Sequence, residues 1–144
     1  NLTDIAAALG IHQLKRLSAF QARREQIARQ FDAAFVGLPV VTPPRAVPGD
    51  MHAWHLYVLR LGDAAAVSRD TFIERMFAAG IGCSVHYIPL HLQPYWRDRY
   101  SLKPEAYPHS QKAYERMVSL PLYTRMSDTD VQRVCAAVHE VLRV

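Results

Sequence analysis

No uninterrupted apolar run in the 144-residue chain approaches the roughly 18 residues that a membrane-crossing helix requires, so no helical span and no membrane partner are expected. Cysteine is scarce. Cys83 and Cys135 are the only two, and neither stands in a CxxC pair, which argues against a disulfide framework. The six glycines are dispersed, which excludes a glycine-rich phosphate loop. The first residues lack a basic-then-apolar signal pattern, so a reducing, cytoplasmic home is the expectation. Repeats and low-complexity tracts are absent, and with half of the residues hydrophobic the chain is not a mainly disordered one. Lysine is rare too. The formal charge of +4 rests on arginine, with only Lys15, Lys103 and Lys112 beside it.

What is present suits one domain with a real core. A helix is predicted from Thr3, its N-cap, to about Phe35, kinked near Ser18. Ile5 and Leu9, then Leu14, Leu17 and Phe20, then Ile27, Phe31 and Phe35 put one apolar face along it. Gly10 costs that helix about 1 kcal/mol relative to alanine. Lys15, Arg16, Arg23, Arg24 and Arg29 bunch on the same helix without forming a stripe, which reads as a solvated face. No nucleic-acid motif accompanies them, so no nucleic-acid partner is expected.

Proline-rich residues 39–50 read as a loop, and residues 53–61 as a strand covered on both sides, with Trp54, Leu56 and Val58 opposite His55, Tyr57 and Leu59. A second helix over 69–79 has Thr71 and Glu74 at capping-box spacing, a buried stripe of Phe72, Ile73, Met76 and Phe77, and Gly80 at its end. Residues 82–87 read as another strand and 89–108 as mostly irregular. A helix near 110–118 precedes an extended piece at 119–123. The last helix opens with Ser127 and Asp130 and carries Val131, Val134, Cys135, Val138, Val141 and Leu142 inward. Strands from distant places without a βαβ rhythm indicate an α+β fold: a small, mostly antiparallel sheet packed with helices, preceded by the long N-terminal helix.

Metal chemistry is not expected. His52 and His55, three apart on a strand, point to opposite faces, and His86 and His91 lack further ligands. Nucleophilic catalysis lacks its parts as well: Cys83 and Ser84 lie near His86, but there is no GxSxG elbow. No catalytic residue is assigned. The stretch from Cys83 to Trp96 remains, with two histidines and two tyrosines set among prolines where a strand leaves the sheet. Residue types alone leave two readings open there, a cleft lining for a sugar or base and a packed strand end.

Four stretches together resemble one family. They are NLTDIAAALGIHQL at the start, HAWHLYVLRL, AAGIGCSVHYIPLHLQPYW, and the tail KPEAYPHSQKAYERMVSLPLYTRMSDTDVQRV. In order and spacing they are similar to the C-terminal part of the DegT/DnrJ/EryC1/StrS sugar aminotransferases, enzymes dependent on pyridoxal phosphate (PLP). The resemblance implies a C-terminal small domain over residues 1–144, separated from the large domain that carries PLP and its Schiff-base lysine. Lys15, Lys103 and Lys112 do not match that lysine, so the chain alone is not expected to transaminate.

By the same resemblance Asn1 falls near the cofactor phosphate, while His86 and Tyr87 match a His-Tyr pair facing a nucleotide-sugar. The family's reaction moves an amino group, with glutamate as the expected donor, onto a nucleotide-linked keto-sugar for amino-sugar and polysaccharide biosynthesis, in a homodimer. Two alternatives stand beside it: a PLP-dependent sugar dehydratase of the same family, and an interaction or nucleic-acid-binding module built on the arginine-rich first helix.

Overall fold

A computed structural model describes residues 2–143, leaving Asn1 and its expected cofactor contact outside the described residues. Helix α1 (Asp4–Ala34) starts where Thr3 Oγ1 accepts the Ala6 N–H at 3.3 Å. It runs unbroken for 31 residues, about 46 Å at 1.5 Å per residue. The helix is not interrupted near Ser18, where a kink was expected, and no proline stands there to break the hydrogen-bond ladder. Only the second half of its apolar face is covered: Ile27, Ala28, Phe31 and the following Phe35 enter the core, while Ile5, Leu9, Leu14 and Leu17 are exposed.

The sheet is small and wholly antiparallel, ordered β1 (Val40–Val41), β2 (Tyr57–Leu61), β3 (Met117–Leu120). Register pairs Val40 with Leu61, Tyr57 with Leu120, Val58 with Ser119 and Leu59 with Val118. The central strand begins at Tyr57, later than expected, because Trp54 takes φ +46° and breaks the extended run. Tyr57, Leu59 and Leu61 are buried, Val58 is half-buried and Arg60 exposed, so one face of β2 is fully covered and the other only in part, not both as expected. Trp54 turns inward with Tyr57 instead of alternating with it.

On the covered face, Phe31 meets Tyr57 edge-on at 5.0 Å and stacks on Phe35 at 5.6 Å. Helix α2 (Arg69–Ala78) adds Phe72 and Met76. Its N-cap is Ser68, whose Oγ accepts the Thr71 N–H at 3.2 Å, not the expected Thr71 box. Phe77, assigned inward by spacing, is exposed. Gly80, at φ +76°, follows the helix in a conformation that glycine adopts without steric cost. Helix α5 (Asp128–Leu142) opens with a reciprocal Ser127–Asp130 capping box and packs the expected valines, with Ala137, onto α1 and α2.

The segment after Gly80 forms no strand. A single bridge joins Ser84 to Ser119. The next hydrogen-bonded pair in that register would set Gly82 against Pro121, which has no N–H to give, and the ladder stops. The run expected to be irregular holds more order than its prolines suggest. A 3-10 turn at Leu90–Leu92 leads into α3 (Pro94–Tyr100), and another at Pro104–Ala106 precedes α4 (Pro108–Arg116). Proline opens three of these four pieces, at the first positions, where no N–H is needed.

Candidate functional site

The His86–Tyr87 pair sits where the chain leaves its bridge to β3. Ser84 donates its N–H to the Ser119 carbonyl at 3.2 Å and accepts the Ser119 N–H at 2.7 Å. Two residues on, His86 Nδ1 lies 3.0 Å from the Ser119 hydroxyl and 3.5 Å from that of Ser84. The second distance is at the limit for a hydrogen bond, so Ser119 is the anchor. The Tyr87 ring stands edge-on to the imidazole at 4.8 Å and is 75 % exposed. The peptide between the two is cis. Among the described residues, neither His86 Nε2 nor the Tyr87 hydroxyl has a hydrogen-bond partner within the fold. The pair therefore offers an imidazole nitrogen and a phenol to whatever lies beyond this surface.

Two of the other histidines, His91 and His52, are occupied within the fold. His91 is buried, stacks on Tyr107 at 5.1 Å and holds Gln111 Oε1 through Nε2 at 2.8 Å. Gln111 donates an amide N–H to exposed Glu115 at 2.7 Å, so His91 is the buried head of a polar chain that runs to the surface. His52 Nδ1 accepts the Trp54 N–H at 2.9 Å. Among the described residues no three His, Cys, Asp or Glu side chains gather to hold a metal. Burial pushes the Cys83 thiol up to about 11, which leaves it little thiolate for attack.

A polar network beneath Trp54 escaped sequence reasoning. Glu25 on α1 accepts from Arg29 at 2.8 Å, from Arg45 at 2.9 Å and from the Trp54 indole. Arg45 also reaches Asp32 at 2.5 Å, and Asp32 accepts the Tyr57 hydroxyl at 2.6 Å. Its hydrogen bond from Arg29 is the main reason the Glu25 carboxyl titrates below its usual range, while desolvation drives the Tyr57 phenol far upward. The adjoining cleft, about 810 Å³, lies between α1 and the proline loop. Glu25, Arg29 and Asp32 recur at helical spacing, but only the fold brings Arg45 and Trp54 to them. Of the basic residues bunched on α1, Arg23 pairs with Asp128 at 2.9 Å and Arg29 with Glu25.

Lys15 and Lys103 are exposed, and exposed Lys112 pairs with Asp63 at 3.3 Å. Among the described residues no lysine stands among the hydrogen-bond partners of His86 or Tyr87.

A family profile described as the DegT/DnrJ/EryC1/StrS aminotransferase family matches residues 1–139. The chain belongs to that family. The DegT/DnrJ/EryC1/StrS relationship is also visible at the level of whole sequences. The chain is 42% identical over 145 residues to the spore coat polysaccharide biosynthesis protein SpsC of Bacillus subtilis (strain 168), covering 99% of this chain and 37% of that protein. In three dimensions it is similar to the PLP form of Spr1654 from Streptococcus pneumoniae, with a TM-score of 0.87 and 30% identity over 99% of this chain and 37% of that one. Helicobacter pylori PseC, an aminotransferase involved in pseudoaminic acid biosynthesis, superposes with a TM-score of 0.83 and 25% identity over 96% and 37% of the two chains. The chain thus spans about 37% of the length of these DegT/DnrJ/EryC1/StrS relatives.

Proposed function

We propose that residues 1–144 are the C-terminal small domain of a PLP-dependent aminotransferase that acts on a nucleotide-linked keto-sugar in amino-sugar and polysaccharide biosynthesis. The observation that carries the reading is the pair at the end of the Ser84–Ser119 bridge: an imidazole held by one nitrogen with the other free, beside an exposed phenol. Both groups suit a ligand rich in phosphate oxygens and hydroxyls, to which imidazole N–H and phenol O–H donate. Family membership, with the roles of SpsC in spore coat polysaccharide biosynthesis and of PseC in pseudoaminic acid biosynthesis, supports the substrate class.

PLP, bound by the rest of the enzyme, carries the amino group from a donor, here glutamate, to the sugar. Its lysine is placed outside this chain, because Lys15, Lys103 and Lys112 do not match the position the family resemblance gives the Schiff-base lysine. The part played by this domain is recognition. His86 and Tyr87 hold the diphosphate or sugar hydroxyls, and the family resemblance assigns Asn1 to the cofactor phosphate. The exposed apolar half of α1 is the surface on which the remainder of the enzyme packs, in a homodimer. Free Cys83 and Cys135 are consistent with a reducing cytoplasm.

The test uses the full-length enzyme. His86→Ala removes a hydrogen bond to a charged ligand, about 1.5–3 kcal/mol, or about 10- to 150-fold in kcat/KM for the keto-sugar. Tyr87→Phe costs less, about three- to tenfold. The glutamate half-reaction stays at its wild-type rate in both. Unchanged KM and turnover with the keto-sugar in both variants would refute the assignment.

A further inference from the structure

Ser119 is a polar residue in an apolar strand. Its neighbours Val118 and Leu120 are buried against the core, and Ser119 itself is only 4 % exposed. In the antiparallel register Leu120 pairs with Tyr57 and Val118 with Leu59, all on the core face, while Ser119 pairs with Val58 on the opposite face. The Ser84 bridge sets Ser84 on that same second face, and His86, two residues along an extended chain, returns to it. The folded-over segment meets Ser119 through the Ser84 bridge and the His86 ring. A buried hydroxyl without a partner costs free energy, and its partner here is His86 Nδ1 at 3.0 Å.

We propose that Ser119 is a positioning residue for substrate recognition: its backbone clamps Ser84 and its hydroxyl clamps His86, so that the imidazole presents Nε2 in one fixed direction. The inference rests on the reading of His86 as a substrate contact and goes beyond it by naming what orients the ring. A hydroxyl is well suited to this task. It donates to a bare Nδ1 and accepts from a protonated one, so the ring stays in place in either protonation state. A carboxylate in the same position would favour the charged ring and would repel a diphosphate. The clamp joins residues 33 apart in sequence and ties recognition to the sheet itself, a rigid support for a side chain that must meet a ligand within a fraction of an ångström.

The experiment is a double-mutant cycle in the full-length enzyme, with the two half-reactions measured separately. Ser119→Ala is expected to lower kcat/KM for the keto-sugar about three- to tenfold and to leave the glutamate half-reaction unchanged. Ser119→Cys, which keeps the volume without a comparable donor, follows alanine, and Ser119→Thr restores most of the loss. In a His86→Ala background Ser119→Ala adds nothing further, because the ring it holds is gone. A merely structural serine behaves otherwise: its effect multiplies with that of His86→Ala, or both half-reactions fall together, and either result overturns the proposal. So does an unaffected Ser119→Ala enzyme beside an impaired His86→Ala enzyme, which leaves the substrate reading standing. A silent His86→Ala removes the substrate reading and the positioning role with it.

Discussion

A side chain contributes to recognition only when its direction is fixed, and the fold fixes His86 but spends Cys83 on packing. Burial that pushes the Cys83 thiol up to about 11 leaves about one part in a thousand as thiolate at pH 8. Iodoacetamide is therefore expected to label Cys83 about 100-fold more slowly than an unstructured cysteine at that pH, and to label it readily once the protein is unfolded. Mass spectrometry of tryptic peptides checks this, and labelling of the folded protein at the unfolded rate contradicts it. The capping residues Thr3 and Ser127 were legible because their partners lie three residues away. Ser119 was not, since its partner is far off in sequence and nothing local marks a serine in an apolar strand as special. The same reason hides Arg45, whose ion pairs with Glu25 and Asp32 exist only after the proline loop folds over α1.

At the scale of elements, α5 shows most plainly how sequence becomes structure. Its regular apolar spacing meets the core, and its start is fixed by the Ser127–Asp130 box. Ser127→Ala is expected to cost about 1 kcal/mol of stability, read from denaturant unfolding. Hydrogen bonds from Ser127 hold the Asp130 carboxyl below its usual range, and Arg23 does the same for Asp128. A carboxyl depressed in the folded state stabilises above its unfolded value, near pH 4, and loses that contribution as pH falls through the folded value. Asp130→Asn should therefore lower the melting temperature at pH 7 and converge with the wild type toward pH 2.5, as thermal melts across that range will show. Helix α3 was missed for the opposite reason: Pro94 reads as a breaker, yet at the first position of a helix it costs no hydrogen bond. In α1 the periodicity was right, yet only the second half of the apolar face is covered. Spacing reports that a face is apolar but cannot say what covers it.

At the scale of the whole molecule, α1, the sheet and α5 enclose one core centred on Phe31, Tyr57 and Val138. Removing the Phe31 ring should destabilise the protein by about 3–5 kcal/mol, measured for Phe31→Ala by chemical denaturation. Outside that core the surface is unlike that of a self-sufficient domain. Leu9 and Leu14 are 62 % and 70 % exposed, and Tyr87, Leu90 and Tyr95 are exposed as well. The proposed function makes this chain, which spans about 37% of its relatives' length and turns an imidazole outward, one wall of a larger enzyme's cleft. The most direct test is chemical footprinting of His86 in the full-length protein with diethylpyrocarbonate, followed peptide by peptide. A bound keto-sugar nucleotide should slow modification of His86 at least tenfold, while glutamate alone leaves it unchanged. An equal rate with and without the nucleotide-sugar would mean that this histidine does not face the substrate.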